Sequence, residues 1–321
     1  MKFLSRLLVF SACALLMPLA AAQPFPSKPI RMIAPSSPGG PVDVIARVLA
    51  PGMSETLGQQ VIVENRAGAA GLIGAELVAK APADGYTVLL GFSGPLAIVP
   101  NLNEATPYDP VRDFAPVSLA ASAPYALLVH PAVPARSVKE LVALAKARPG
   151  KLNYASGGNG TGIHMAGELF NVIAGTQIVH VPFKGAAPAT TALIAGQVNM
   201  MFNGLPGAVA HIKAGRVRPV ALISAQRSPL MPELPTAIEG GLHMEATGWY
   251  GVLAPRGTPP SVIAKLNAEL NRALQTPALK ERLAAQGTET VGSTPAEFLA
   301  KIKEEWAKWG KVIAAAGLKQ R

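Results

Sequence analysis

The β-α-β pattern of the chain is clearest in residues 30–65, which read IRMIAPSSPGGPVDVIARVLAPGMSETLGQQVIVEN. The short apolar runs Ile30–Ala34 and Val61–Asn65 are typical of strands, whereas the apolar spacing from Val42 to Leu57 indicates a helix. A loop rich in Pro, Ser and Gly joins the first strand to that helix. This order predicts parallel strands connected by a right-handed crossover.

The same alternation continues along most of the chain. Further strands are predicted at 86–91, 126–129, 152–155, 178–181, 198–202, 217–224 and 247–254. Further helices are predicted at 71–80, 138–147, 161–173, 187–195, 260–275, 278–286 and 295–316. A break at 103–111, which contains Pro and Asp, separates two such series. We therefore expect an α/β protein with two lobes, each a mostly parallel sheet flanked by helices.

The composition excludes several classes of protein. The 321 residues are 50% hydrophobic and only 15% charged, which excludes an intrinsically disordered chain. The 31 Gly and 30 Pro residues are spread along the chain, which excludes a long coiled coil and indicates short elements with sharp connections. The formal net charge is +10, but there is no long Lys/Arg block, so nucleic-acid binding is not expected.

The N-terminus resembles a secretory signal peptide. Lys2 and Arg6 precede the apolar run 7–17, and small residues end at Ala22. We expect residues 1–22 to be removed by cleavage after Ala22, because the apolar run is too short for a membrane anchor. Cys13 is the only cysteine and lies in this segment, so no disulfide, cysteine nucleophile or cysteine metal site is expected in the exported chain.

Six Gly-containing loops follow predicted strands, at 35–41, 65–68, 91–94, 156–161, 182–185 and 203–207. In an open α/β sheet such loops share one edge and form the ligand crevice. Glycine permits close approach of the backbone, and the free N–H groups of the following helix favour a small anion. Any one loop is better explained as a tight turn, but six such loops on one edge, in two lobes, favour a binding cleft.

Two side chains near these loops leave alternatives open. Asp43 either meets the positive end of the first helix or turns into the cleft, where it would contact water or a ligand amine. Thr161 is placed to cap the next helix, and His164 on that helix either faces the cleft or packs on a helix face.

Signals for catalysis and for cofactors are weak. The five histidines show no metal-ligand spacing, and the loops fit neither a P-loop nor a nucleotide-binding G-x-G-x-x-G motif. Ser93 lies in Gly91–Gly94, which is not a G-x-S-x-G elbow, so it would need a distant histidine as its base. We expect no enzyme, metal or cofactor, with a secreted serine hydrolase as the alternative.

Several segments together resemble one known family. They are FPSKPI at 25–30, PGG at 38–40 with Asp43, LGQQVIVENR at 57–66, ADGYT at 83–87, RDFAPV at 112–117, GNGT at 158–161 with His164, HVPFKG at 180–185 and APRGTP at 254–259. The chain is similar in these segments to the Bug-type periplasmic solute-binding proteins of tripartite tricarboxylate transporters. The resemblance covers nearly the whole chain after the predicted signal peptide.

The resemblance implies a periplasmic, two-lobed Venus-flytrap protein that is expected to be a monomer. Its lobes would close on a small carboxylate, such as a di- or tricarboxylate, an aromatic acid or an amino acid, for uptake by membrane permease subunits. Lobe 1 is expected at 23–103 and again at about 225–321, and lobe 2 at 104–224. A binding protein that serves a periplasmic sensor is a further alternative.

The resemblance and the loops together predict the ligand-binding residues. These are Ser37, Gly39, Gly40, Asp43, Ser93, Asn159, Gly160, Thr161, His164, Phe183, Lys184, Gly185 and Asn203. Phe183 stands where the family often has Tyr, and Ser36 and Ser37 replace a commoner apolar lead-in to Pro38. We therefore expect the chain to have the fold of the family, while these differences leave its ligand specificity open.

Overall fold

The computed structural model describes residues 25–103, 105–315 and 317–318. The predicted signal peptide lies outside these residues. None of the helices in the described ranges combines the length and hydrophobicity that a membrane crossing requires.

The described residues form ten strands and ten α-helices, which mostly alternate along the chain as in an α/β fold. The strands are β1 Ile30–Ala34, β2 Val61–Asn65, β3 Thr87–Gly91, β4 Phe114–Val129, β5 Asn153–Ser156, β6 Val179–Pro182, β7 Met200–Gly204, β8 Arg218–Ile223, β9 Thr247–Pro255 and β10 Glu289–Thr290. The helices are α1 Pro41–Leu57, α2 Leu72–Ala79, α3 Val99–Leu102, α4 Val138–Ala147, α5 Gly162–Ala174, α6 Ala186–Ile194, α7 Leu205–Lys213, α8 Pro260–Gln275, α9 Pro277–Ala284 and α10 Pro295–Ala315. A 3-10 turn at Ala69–Gly71 and a π-helical turn at Gly94–Ile98 precede α2 and α3.

The strands pair in two groups that share β4. In the first group β2, β1 and β3 are parallel, and β9 lies antiparallel between β3 and β4. In the second group β6, β5 and β7 are parallel, and β4 runs antiparallel to both β7 and β8. The predicted parallel strands are therefore present in both groups, but each sheet is mixed because β4 and β9 run against them.

The pairing of β4 marks the division between the lobes. β4 pairs with β9 from Phe114 to Pro124, and from Tyr125 onward it pairs with β7 and β8. We call residues 25–123 and 247–318 the first lobe and residues 125–246 the second lobe. Residues 114–123 thus pair with strands of the first lobe, although they fall within the range 104–224 predicted for lobe 2.

Residues 225–246 also differ from the expected division. Met231, Leu234, Ala237 and Met244 belong to the apolar core of the second lobe, and Thr236 bridges to Leu222 of β8. The reason is that the chain folds back on β8 after Ile223 before it returns to the first lobe as β9.

Proline explains why the first half of β4 was not predicted from the sequence. Pro116 and Pro124 lack the N–H group that a ladder needs, so a run containing them argues against an interior strand. In the structure Pro116 lies at a register shift against β9, and Pro124 is the last residue before the partner strand changes.

The two lobes touch through apolar residues. Met165 of α5 in the second lobe is fully buried against Ile98, Leu102, Trp309 and Ile313 of the first lobe. At a second contact α7 meets the start of α1, where a side-chain carbon added at Gly207 would lie 2.9 Å from Pro41 Cδ. These contacts hold the Gly-rich loops of both lobes against a shared interior space.

Candidate functional site

A cavity of about 500 Å³ lies between the lobes. It is lined by the loops that follow β1, β2, β3, β5 and β6, together with residues of β4 and β9. Five of the six Gly-containing loops thus meet as predicted, since the carboxyl ends of parallel strands share one edge of the sheet. The sixth loop, 203–207, does not line it.

The first loop is shaped by a turn that ends at the start of α1. Gly39 adopts a φ of 78°, and the N–H of Gly40 donates to the carbonyl of Ser37 at 3.1 Å. No side chain caps α1 at Gly40, and Pro41 and Val42 of its first turn line the cavity. Ser37 is 8% exposed, and its Oγ is buried without a hydrogen-bond partner among the described residues.

Asp43 holds this loop from behind rather than facing the cavity. Its Oδ2 accepts from the N–H of Gly39 at 2.8 Å, and its Oδ1 accepts from Arg47 Nε and Asn65 Nδ2, both at 2.9 Å. Burial alone would raise the pKa of Asp43, but these hydrogen bonds and the Arg47 charge outweigh it and hold the pKa below its usual value. The contacts match the helix-end interpretation of Asp43.

The loop after β5 is organised by the cap of α5. Thr161 Oγ1 accepts from the N–H of His164 at 3.2 Å and donates to the carbonyl of Gly158 at 2.9 Å. The N–H of Gly160 donates to His164 Nδ1 at 3.2 Å. Gly158, Asn159 and Thr161 therefore line the cavity in a fixed loop, while His164 supports the loop from beneath.

A stack of aromatic rings lies under this loop. His180 lies between Tyr154 and His164, with ring centroids 4.9 and 4.2 Å away, and its Nε2 is 2.6 Å from Ser156 Oγ. Burial, aided by the neighbouring His164, lowers the pKa of His180 to about 4. Burial also lowers the pKa of His164, although the Glu168 charge opposes this.

These contacts test the serine hydrolase alternative. Among the described residues, the serine within hydrogen-bond reach of a histidine is Ser156 rather than Ser93, and Ser156 is fully buried away from the cavity. Glu168 bonds to Tyr154 and lies 3.8 Å from His164, so the described contacts give His180 no carboxylate to orient it. The geometry does not form a Ser-His-acid triad.

The remaining predicted lining residues close the cavity from two sides. Phe183, Lys184 and Gly185 follow β6, and a side-chain carbon at Gly185 would overlap Ser37 of the first lobe. Ser93 follows β3 and is 3% exposed. Glycine is thus required at Gly185 because the two lobes approach each other there.

Three aromatic lining residues of β4 and β9 were missed by sequence reasoning. They are Tyr125, Trp249 and Tyr250, which are all buried. Burial raises the pKa of Tyr125 to about 12, with the Ser93 hydroxyl opposing this, and burial beside Tyr125 raises the pKa of Tyr250. The sequence does show an aromatic residue beside Pro124 and an aromatic pair in a predicted strand. Neither lies in a loop after a strand, and the site residues were predicted mainly from such loops.

The 3-10 turn after β2 was also missed as part of the lining. Residues 67–71 contribute backbone and small side chains to the cavity wall. Only the beginning of this stretch fell within the predicted loop 65–68.

Six predicted ligand-binding residues do not line the cavity. They are Gly39, Gly40, Asp43, Gly160, His164 and Asn203. Gly39 and His164 are bonded within the loops described above, and Gly40 faces the Ser37 carbonyl and Ala186. Gly160 faces Val99 of the first lobe, and Asn203 is buried and donates to Thr190 Oγ1 at 3.1 Å.

A second cavity of about 610 Å³ lies near the strands that join the lobes. It is lined by residues 224–230 and by parts of β4, α9 and β10, and it contains none of the predicted site residues. Among the described residues no group of three or more His, Cys, Asp or Glu could hold a metal ion. The cavity between the Gly-rich loops is therefore the candidate site.

Comparison with known proteins identifies the family. The family model described as "Tripartite tricarboxylate transporter family receptor" matches residues 45–318. Protein BugT of Bordetella pertussis is 40% identical over 313 residues, which cover 97% of this chain and 96% of BugT. These matches agree with the resemblance found in the sequence.

Solved structures extend the match to the fold. R. palustris Rpa4515 with adipate is 36% identical, with a TM-score of 0.89 over 91% of this chain and 98% of that chain. The periplasmic binding protein BugD is 34% identical, with a TM-score of 0.89 over 92% of this chain and all of that chain. The predicted two-lobed periplasmic-binding-protein fold is confirmed. The chain belongs to the receptor family of tripartite tricarboxylate transporters and is a solute receptor.

Proposed function

We propose that this receptor binds a small carboxylate in the cavity between its lobes. The observation that carries the proposal is Ser37, a residue of the cavity wall whose Oγ is buried without a partner among the described residues. A buried hydroxyl without a partner is costly, and a ligand carboxylate would accept its hydrogen bond.

The electrostatic character of the cavity supports an anion. The first turns of α1 and α5 both reach the cavity, and their N–H groups lie at the positive ends of the helix dipoles. Lys184 lies exposed at the rim, and among the described residues that line the cavity none is acidic. The adipate in the related R. palustris protein is consistent with this ligand class.

The cellular setting belongs to the same proposal. The receptor would act in the periplasm after cleavage behind Ala22, as a monomer, and would deliver its ligand unchanged to membrane permease subunits. The family description and the periplasmic relative BugD support this setting. The Ser156–His180 pair is buried outside the cavity, which supports binding without chemical conversion.

A thermal-shift screen tests the proposal. Protein purified from a periplasmic extract is first examined by native mass spectrometry for a bound carboxylate, then unfolded thermally with carboxylates, neutral sugars and amides. Ser37→Ala should weaken carboxylate binding roughly tenfold to a hundredfold, because a hydrogen bond to a charged group is lost. Ser228→Ala, outside the cavity, is the matched control. A protein that responds only to neutral sugars would contradict the proposal.

A further inference from the structure

The walls of the candidate cavity are unusually rich in aromatic residues. The chain has only nine Phe, three Trp and five Tyr, yet five of these seventeen line this one cavity. They are Phe92, Tyr125, Phe183, Trp249 and Tyr250. An ordinary share of a chain that is 5% aromatic would place one or two there.

These rings approach from both lobes. Phe92 follows β3 of the first lobe, Phe183 follows β6 of the second, and the other three belong to β4 and β9, which run between them. Tyr125, Trp249 and Tyr250 are at most 7% exposed, so their rings are fixed by the protein core. Phe92 and Phe183 are only half-buried, so a ligand enclosed by these loops would meet an aromatic side chain from each lobe.

Two glycines lie against the tyrosines of the cavity wall. A side-chain carbon at Gly248 would lie 3.4 Å from the Tyr250 hydroxyl and 3.5 Å from Tyr125 Cε1. A side-chain carbon at Gly162, the first residue of α5, would overlap the Tyr125 hydroxyl. Glycine at position 162 therefore lets the start of α5 pack directly against the Tyr125 hydroxyl, beside Ser93.

The cavity offers few groups for a second carboxylate. Lys184 is its only charged lining residue among those described, and it lies exposed at the rim. Away from the helix starts, a second carboxylate would meet a mostly apolar wall that includes aromatic rings, whose faces carry negative partial charge. Burying a charge without a partner is strongly unfavourable, so one anionic end and one apolar end fit best.

Resting on the proposed carboxylate-binding function, we infer that the ligand class of this receptor is an aromatic monocarboxylate. Its carboxylate would lie at the starts of α1 and α5 near Ser37, and its ring would pack among Phe92, Phe183 and the β4 and β9 aromatics. The volume of about 500 Å³ lies within the range of small-molecule sites.

Four probes of similar size separate the possible outcomes by titration calorimetry. Benzoate carries both features, cyclohexanecarboxylate lacks the aromatic ring, benzamide lacks the charge, and adipate carries two charges and no ring. Benzoate is expected to bind at least tenfold more tightly than adipate and twofold to tenfold more tightly than cyclohexanecarboxylate. Benzamide should bind more weakly than benzoate.

The failures of the two proposals can be told apart. Adipate binding more tightly than benzoate, or cyclohexanecarboxylate equalling benzoate, would overturn the inference and leave the carboxylate function intact. Response to benzamide alone, or to none of the three acids, would overturn both.

Replacing an aromatic side chain of the cavity wall provides a second test of the inferred ligand class. Phe183→Leu should lower benzoate affinity twofold to tenfold with little effect on adipate, because an apolar side chain remains but its ring is lost. Phe25→Leu is the matched control, since Phe25 is also half-buried but packs on Tyr86 away from the cavity. Equal losses for both ligands in Phe183→Leu would overturn the inference.

Discussion

Replacement of Gly207 by alanine is expected to stabilise the receptor against unfolding and at the same time to weaken its ligand binding. Gly207 lies in α7 of the second lobe, where it faces the start of α1 in the first lobe. An added side-chain carbon would lie 2.9 Å from Pro41 Cδ, 3.0 Å from its Cγ and 3.2 Å from its N. These separations are too short, so the lobes would have to move apart at this point.

The methyl group added at residue 207 makes two opposite contributions to the free energy of the receptor. Alanine stabilises a helix relative to glycine by about 1 kcal/mol. This stabilisation is local to α7, so it does not depend on whether the two lobes are in contact. Overpacking against Pro41 costs about 1–3 kcal/mol in the conformation in which the lobes touch, and this cost lowers affinity if the lobes separate when no ligand is bound. The dissociation constant should therefore rise between about fivefold and 150-fold, since 1.4 kcal/mol is a factor of ten.

The assay combines thermal unfolding without ligand and calorimetric titration with the carboxylate that the screen selects. Gly52→Ala is the matched control, because Gly52 is also half-buried within a helix and an added carbon would meet only Leu279 and Ala273 of its own lobe. Unchanged affinity in Gly207→Ala, or a loss equal to that in Gly52→Ala, would refute the idea that binding requires this contact.

Three further outcomes concern other parts of the receptor. Met165→Ala removes a fully buried interlobe contact, and we expect calorimetry to show about a tenfold loss of ligand affinity; no loss would mean that this contact does not support the bound state. Asp43→Asn should destabilise the fold by about 1–3 kcal/mol in urea unfolding and should weaken all carboxylates alike; a selective loss for amino acids would show that Asp43 contacts an amine. His180 has a pKa of about 4, below its unfolded value of about 6.5, so the unfolded chain binds more protons between these values and the midpoint of thermal unfolding should fall as the pH is lowered from 6.5 to 4. His180→Gln should flatten this profile, and a midpoint that rises on acidification would contradict the assignment.

The sequence allowed the α/β class and most element bounds to be predicted because local periodicity carries them. Val61–Asn65 and Val138–Ala147 were predicted with the bounds that the structure has, since a strand of β-branched residues and a helix capped at Ser137 are local features. The lobe division was harder, because it depends on which strand β4 pairs with on either side of Pro124. Pairing over long sequence distances is not encoded in local periodicity.

The candidate site shows the same contrast. Ser37, Thr161 and Gly185 could be placed at the cavity because loops after parallel strands share one edge. His164 could not be placed, because only the folded chain shows that its ring stacks on His180. Tyr125 and Tyr250 were missed because they lie in strands, and their approach to the cavity depends on the crossing of β4 and β9 between the lobes.

The position of β9 between β3 and β4 has a consequence for the order in which the chain assembles. The second lobe is one continuous stretch, so β5 and β7 pair over a short distance in the sequence. In the first lobe β3 pairs with Thr247–Pro255, which lies far from it in the sequence and fills the middle of the sheet. Because contacts over long sequence distances form slowly, pulse-labelling hydrogen exchange during refolding should protect β5 and β7 before β3 and β9. Simultaneous protection of all four strands would show that the two lobes assemble as one unit.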